Sequence, residues 1–244
     1  MKETVLITGA SRGIGRAAAR LFARAGYQVA VNYHKSKEAA YDLVQELTAE
    51  GYTAMAIHAD VSKRDEVFDM VDKVLHSYKQ IDILICNAGI ANYGLFTDFT
   101  EEEWHSIFAV NVDGIFHTCQ AVIPSMIHRK AGKIITTSSI WGISGASCEA
   151  AYSASKAAVI GLTQALAKEL GPSGICVNCV APGATQTDML AGIDADALEA
   201  FRLDTPLERL GQPEDIAQTY LFLASHAADF ITGQVISPNG GCLI

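Results

Sequence analysis

No basic cluster occurs anywhere in the 244 residues, and the formal net charge is −9. The longest run of one sign is the acidic trio Glu101, Glu102 and Glu103. Such a chain suits neither nucleic acid nor an anionic membrane surface. Thr100 precedes the trio, which reads as the acidic first turn of a helix set against its dipole. Long apolar runs are also missing. The opening "MKETVLITGA" enters a strand directly, its apolar run is too short for a signal-peptide core, and no run approaches membrane-spanning length. A cytoplasmic location with no membrane partner is expected. Glycine and proline are not enriched, and no repeat or low-complexity tract is present, which excludes a disordered or solenoid chain. The seven histidines include no H-x-x-x-H pair, and the six cysteines do not form a secreted disulfide pattern. Cys176 and Cys179 have C-x-x-C spacing, but in a strand residues three apart face opposite sides. Core packing is the better reading, and no metal is expected.

Half of the residues are apolar, enough for one well-buried core. Short Val- and Ile-rich runs at 4–8, 28–32, 54–58, 82–86, 133–138, 176–181 and 233–237 read as strands covered on both faces. Helical patterns lie near 14–25, 37–49, 64–79, 101–129, 153–170 and 214–225, with Gly26, Gly51 and Gly171 placed as left-handed caps after three of them. The alternation predicts one α/β domain over 1–244, with about seven parallel strands and helices on both faces. Ligands of such folds bind beyond the carboxyl ends of the strands. The segment 184–212 lacks strand character and reads as short helices forming a substrate loop.

After the first strand comes "TGASRGIG" (8–15). Gly9, Gly13 and Gly15 mark the turn into the first helix, where close backbone approach and helix amides favour a diphosphate. Gly13-x-Gly15-x-x-Ala18 also fits the dinucleotide fingerprint. Ser11, Arg12 and Ile14 fall within the same loop and Asn32 at the second strand, so all join the cofactor set. An NAD site wants a carboxylate at the end of the second strand. Here "NYHKSK" (32–37) offers none before Glu38, whereas Arg12, His34 and Ser36 suit a 2′-phosphate. NADP(H) is the expected cofactor.

Tyr152 and Lys156 are four apart on an expected helix and share a face. A phenol ionises near pH 10, and a neighbouring ammonium favours the phenolate, which makes the pair capable of acid–base work on a carbonyl. "TGASRGIG", "NAG" (87–89), Asn111, Ser139, "YSASK" (152–156) and "PG" (182–183) together resemble the short-chain dehydrogenase/reductase family in order and spacing, over essentially the whole chain. The resemblance implies a doubly wound Rossmann-type domain. It implies that Tyr152 protonates the substrate oxygen, that Lys156 also holds the nicotinamide ribose, and that Ser139 hydrogen-bonds the reacting oxygen. The resemblance prefers Ser139 to its neighbour Ser138, because Ser139 precedes Tyr152 by thirteen residues, the spacing common in that family. Asn111 would hold a water linking Lys156 to solvent; otherwise it is a helix-kinking amide. Asn87, Ala88 and Gly89 resemble the cofactor-supporting turn, Asp60 and Val61 the adenine contact, and Pro182, Gly183 and Thr185 the nicotinamide-side loop.

Within that family the chain is most similar to the 3-oxoacyl-acyl-carrier-protein reductases of bacterial fatty-acid synthesis, through "VNCVAPGATQTDM" and "RLGQPEDIA". The implied partner is a small or carrier-bound keto substrate, and the implied assembly a homotetramer or homodimer. Small residues Ala157, Ala158, Gly161 and Ala165 would permit close helix approach across a two-fold axis. Several features depart from the pattern. Of the two basic residues those reductases place near the cleft for the carrier, Lys130 can supply one, but Ser173 stands at the other. The usual Asp-Gly-Gly near the end is Asn239, Gly240 and Gly241. Glu149 stands where a neutral residue is common and, with Trp141, joins the substrate set. "YGLFTD", "SIWG" and "GASCE" resemble a reductase subgroup acting on the aminopentanone-modified lysine of elongation factor P, whose amine would suit a carboxylate. A sugar, polyol or steroid dehydrogenase and a non-catalytic NADP(H) sensor are the other readings.

Overall fold

The computed structural model describes residues 2–244. Seven strands form one parallel sheet in the order β3-β2-β1-β4-β5-β6-β7: β1 Thr4–Ile7, β2 Gln28–Tyr33, β3 Ala54–His58, β4 Ile83–Cys86, β5 Gly132–Thr137, β6 Ile175–Val180 and β7 Val235–Ile236. Nearly every residue of β1, β2, β4 and β6 is buried, as the continuous apolar runs require of strands covered on both faces. Helices α1 (Gly13–Arg24), α2 (Lys37–Ala49) and α9 (Pro213–Ala224) cover one face. Helices α3 (Arg64–Tyr78), α5 (Gly114–Arg129) and α7 (Ala150–Leu170) cover the other. Winding reverses between β1 and β4, which opens a crevice at the carboxyl ends of the strands.

The expected helix 101–129 is not uniform. It comprises α4 (Glu101–Phe108), a π-helical turn over Ala109–Asp113, and α5. The acidic trio opens α4 through a capping box, with Thr100 Oγ1 accepting the Glu103 amide at 3.2 Å and Glu103 accepting the Thr100 amide at 2.9 Å. Taken as one run, 101–129 has an 18-residue window of mean hydropathy 1.2, so by length and composition it passes as a membrane span, contrary to the sequence expectation. Its apolar residues Ile115, Cys119, Val122 and Met126 belong to the core beneath α3 and α7.

Gly26 (φ +97°) and Gly51 (φ +88°) cap their helices in the left-handed region. Gly171 does not: at φ −51° it continues α7 into a 3₁₀ turn, Gly171–Ser173, with Pro172 at its start. Gly174 (φ +72°) takes the left-handed position, where an added Cβ would lie 2.5 Å from the Lys130 carbonyl. Lys130 and Ser173 therefore sit at the amino ends of β5 and β6, the far edge from the crevice. Neither can serve this chain's own cleft.

One further helix escaped the sequence reading, α6 (Ile140–Ser144) directly after β5, whereas α8 (Ala195–Leu203) is a short helix of the kind expected inside the 184–212 segment. Cys176 and Cys179 do face opposite sides. Cys179 is in the core under α7, and the Cys176 thiol lies 3.8 Å from Lys133 Nζ beside Asp229.

Candidate active site

The crevice is built from the ends of β1, β4, β5 and β6. At the first of these, Gly9 (φ +63°) and Gly13 (φ +52°) hold a turn that L side chains rarely adopt. A Cβ on Gly15 would lie 2.5 Å from the Gly9 carbonyl oxygen and 2.7 Å from Asn87 Nδ2. No side chain caps the amino end of α1, so its first amides remain for a ligand. Ser11 is buried, Ile14 packs against the core, and Arg12 points outward. This cradle fits the diphosphate of a dinucleotide.

Asn32 has a different task from the one expected. Its side chain is buried, accepting the Gly9 amide at 3.1 Å and donating to the Ala59 carbonyl at 3.1 Å. Every polar atom is engaged within the protein, so Asn32 shapes the glycine loop from behind and offers no side chain to the cofactor.

The region beyond β2 is partly occupied. His34 Nε2 lies 3.8 Å from Asp60 Oδ2, whose carboxylate is partly buried, and Arg12 lies 3.5 Å from Asp188 in the substrate loop, an exposed pair of small energetic weight. Ser36 precedes α2 with its hydroxyl making no capping bond. Burial disfavours charge on Asp60, but bonds from the Ser62 hydroxyl (2.8 Å) and amide (3.0 Å) outweigh it and hold the carboxyl below its usual range. Val61 is buried, packs against Gly114, and gives its carbonyl to His117 at 3.1 Å.

At the end of β4, Asn87 donates to the carbonyls of Thr8 (3.0 Å) and Gly9 (3.2 Å), while the Ala88 amide donates to Thr8 Oγ1 at 3.1 Å. This turn is thereby stitched to the glycine loop. Gly89 approaches so closely that a Cβ there would lie 3.2 Å from Lys156 Nζ and 3.3 Å from Asn111 Oδ1. Asn111 sits in the middle of the π turn, wholly buried. Its side chain exchanges two bonds with Ile90, each 2.9 Å, and donates to Ser155 at 3.0 Å. Both amide protons are thereby spent within the protein while Oδ1 keeps one acceptor position, and the side chain ties the β4 loop to α7.

The end of β5 separates two serines. Ser138 donates to the Lys156 carbonyl at 2.7 Å and is consumed in joining α6 to α7. Ser139 precedes α6, accepts the Trp141 amide at 3.2 Å, and stands close enough to the Tyr152 phenol to favour its ionised form. Tyr152 and Lys156 are both buried on one face of α7, with Nζ 5.6 Å from the phenol ring centroid. Lys156 Nζ donates to the Thr137 carbonyl at 2.8 Å, leaving two of its three protons uncommitted to side chains. Burial pushes the ammonium down to about 8. Burial also pushes Tyr152 up to about 12, with Ser139 opposing and the Glu149 carboxylate reinforcing the rise. The nearby ammonium favours the phenolate and works against burial.

Glu149 thus stands close enough to Tyr152 to be felt there, and burial pushes its own carboxyl up. It follows Cys148, held at φ +62°, in a loop whose Cys148 carbonyl accepts the Gly94 amide at 2.9 Å. Tyr93, which sequence reasoning missed, stands largely exposed beside Cys148, Glu149 and Asp194. Trp141 meets Phe201 of α8 at a ring separation of 6.4 Å, so the substrate loop folds toward the cleft. After β6, Pro182 accepts the Ile140 amide at 3.0 Å and Thr185 Oγ1 donates to Gly183 at 2.8 Å. A Cβ on Gly183 would lie 2.8 Å from Asn239 Cα, so the Asn239–Gly241 turn braces this loop.

A family model described as enoyl-(acyl carrier protein) reductase matches residues 9–242. The 3-oxoacyl-[acyl-carrier-protein] reductase FabG of Staphylococcus epidermidis is 44% identical over 241 residues, covering 99% of both chains. The chain belongs to the short-chain dehydrogenase/reductase family. Another member, the 3-oxoacyl-[acyl-carrier-protein] reductase of Synechocystis, is 42% identical over 243 residues, covering 99% of this chain and 97% of that one. A solved member, gluconate 5-dehydrogenase from Burkholderia cenocepacia in complex with NADP and tartrate, superposes with a TM-score of 0.94 at 34% identity, covering 99% and 96%. These short-chain dehydrogenase/reductases act on different substrates, so membership fixes the fold and cofactor-binding framework before it fixes the substrate.

Proposed function

We propose that this chain is an NADP(H)-dependent ketone reductase whose leading substrate is a 3-oxoacyl thioester borne on acyl carrier protein. The observation that carries the chemistry is the meeting of Ser139, Tyr152 and Lys156 beside the glycine cradle at the carboxyl ends of the sheet. The two 3-oxoacyl reductases, similar over nearly the full chain, support the substrate. The NADP in the gluconate dehydrogenase complex supports the cofactor, as does the lack of a carboxylate directly after β2.

NADPH, when bound, supplies a hydride to the keto carbon. Gly9, Gly13, Gly15 and the α1 amides would hold its diphosphate, with Arg12, His34 and Ser36 near the 2′-phosphate. To bind it, Arg12 and His34 exchange Asp188 and Asp60 for the phosphate. Tyr152 is protonated at neutral pH and gives its phenolic proton to the carbonyl oxygen as that oxygen gains charge. Ser139 steadies the same oxygen with a hydrogen bond. Lys156, charged at neutral pH, stabilises the phenolate left on Tyr152 and turns its spare protons toward the cofactor ribose. Asn111 positions α7 and the β4 loop around them. The 184–212 segment closes the cleft within a single domain. A cytoplasmic location and a homotetramer belong to the same reading; exposed Phe116, Ile127, Phe222 and Phe230 offer apolar surface for assembly.

One observation favours a second substrate. Glu149 at the cleft disfavours an anion and suits a cationic ketone, such as the aminopentanone modification of a lysine. The test is NADPH oxidation with an acetoacetyl thioester mimic and, in parallel, an amino-ketone. Turnover of the thioester is expected. Turnover of the amino-ketone alone favours the second substrate, and no turnover with either, despite NADPH binding, defeats the reductase reading in favour of a sensor. NADPH should bind more tightly than NADH; equal affinity would contradict the cofactor assignment.

A further inference from the structure

Beneath the crevice, in a largely apolar core layer, lies a phenol that the proposed chemistry does not use. Tyr220 projects from α9 and is completely buried. Its hydroxyl forms a 2.7 Å bond with Thr137 Oγ1 and reaches Asn87 Oδ1 at 3.5 Å. Each partner is the root of a different part of the site. Asn87 Nδ2 holds the carbonyls of Thr8 and Gly9, at the base of the glycine loop. Thr137 presents the backbone carbonyl that accepts Lys156 Nζ at 2.8 Å.

An apolar residue would fill that layer without the cost of burying a hydroxyl, so the geometry must satisfy it fully, and it does. From these contacts we infer that Tyr220 is a positioning residue. Through Thr137 it fixes the peptide whose carbonyl holds the Lys156 ammonium, and through Asn87 it registers that peptide against the glycine loop. The inference rests on Lys156 serving the proposed reaction, but the hydrogen-bond chain exists without any ligand. A strand end tethered by its own side chain holds its carbonyl in one direction. The Ser138 amide of the same peptide donates to the Val180 carbonyl at 2.7 Å, so the Thr137 hydroxyl is a second tether; without it the peptide would tilt about the first, and the buried ammonium would lose part of the acceptor that keeps it charged.

The test uses Tyr220→Phe, which keeps the ring and removes the hydroxyl, and Thr137→Val, which removes the other partner. Lysine side chains carrying a carbon label at Cε are titrated by NMR in the cofactor-free protein, and NADPH-dependent reduction is followed across pH. In both variants the Lys156 midpoint should fall by about half a pH unit, and the basic limb of the rate should fall with it, at little change in NADPH KM. Thr137→Ser, which retains the hydroxyl, should restore the midpoint of the wild-type chain. A Lys156 midpoint unchanged in Tyr220→Phe, or in Thr137→Val should the first variant not fold, overturns the inference even if thermal stability drops. The titration needs no turnover, so it still decides this point if the reductase reading itself fails in the substrate assays.

Discussion

Raising the pH through 8 should switch off ketone reduction at one identifiable residue. Lys156 is 3% exposed, and burial pushes its ammonium from 10.5 down to about 8, a penalty of about 3 kcal/mol on the charged form. In the free enzyme at pH 7 the charged form then exceeds the neutral one about tenfold, and at pH 9 the ratio is about the inverse. The sign follows from the chemistry. The phenolate left on Tyr152 needs a cation beside it, so kcat/KM for reduction falls as Lys156 loses its proton, about tenfold for each pH unit above 8. Tyr152, pushed up to about 12, stays protonated through this window and contributes no second limb. The assay is NADPH oxidation between pH 6 and 10 at low substrate, with the enzyme-free rate subtracted. In Lys156→Arg the limb should vanish, since a guanidinium does not titrate here, whatever activity remains. A wild-type limb at pH 10 or above, or a limb near 8 that survives in Lys156→Arg, would refute the reasoning.

Gly15→Ala should cost about 1–3 kcal/mol in stability and weaken NADPH binding more than tenfold by titration, because its Cβ would press on the Gly9 carbonyl at 2.5 Å. Retained affinity would mean that the cradle is looser than its contacts indicate. Gly161→Ala is the opposite case: within one chain nothing lies within 4 Å of the new Cβ in the middle of α7, so the isolated protomer should gain about 0.5–1 kcal/mol in stability. A loss that appears only in the assembled protein would put a second copy against this face. Glu149→Gln should lower KM for an anionic thioester and raise it for an amino-ketone by about threefold to tenfold, with kcat little altered. Equal KM values in the two enzymes would remove Glu149 from substrate choice.

The layered architecture was legible because periodicity reports burial, and strands β1, β2, β4 and β6 are buried on both faces. The same rule explains the misses. Across 101–129 the apolar pattern continues through the π turn, since Ala109 and Val110 suit either helix, and only the tertiary bonds of Asn111 to Ile90 and Ser155 reveal the extra residue. Gly171 looked like a cap because helix ends favour glycine, but Pro172 can begin a 3₁₀ turn and the left-handed residue moved to Gly174. The five residues of α6 were too short to show a period. At the site, residue type and helical spacing paired Tyr152 with Lys156, and the family resemblance added Ser139. They could not show that Ser138 is spent on Lys156, that Asn32 lies behind the loop, or that Lys130 sits at the opposite edge of the sheet. Those facts depend on which atoms meet across strands far apart in sequence. The pairing of Tyr220 with Thr137 is of the same kind, as no local motif marks a phenol on α9 as part of a site.

The central claim is that Tyr152 supplies the proton. Tyr152→Phe leaves the ring in its packed place and removes one hydroxyl. The decisive measurement is single-turnover reduction by this variant alongside an NADPH titration. The account predicts reduction slowed by at least about a thousandfold with NADPH affinity within about threefold of the unaltered chain. Near-normal reduction at intact NADPH affinity would contradict it.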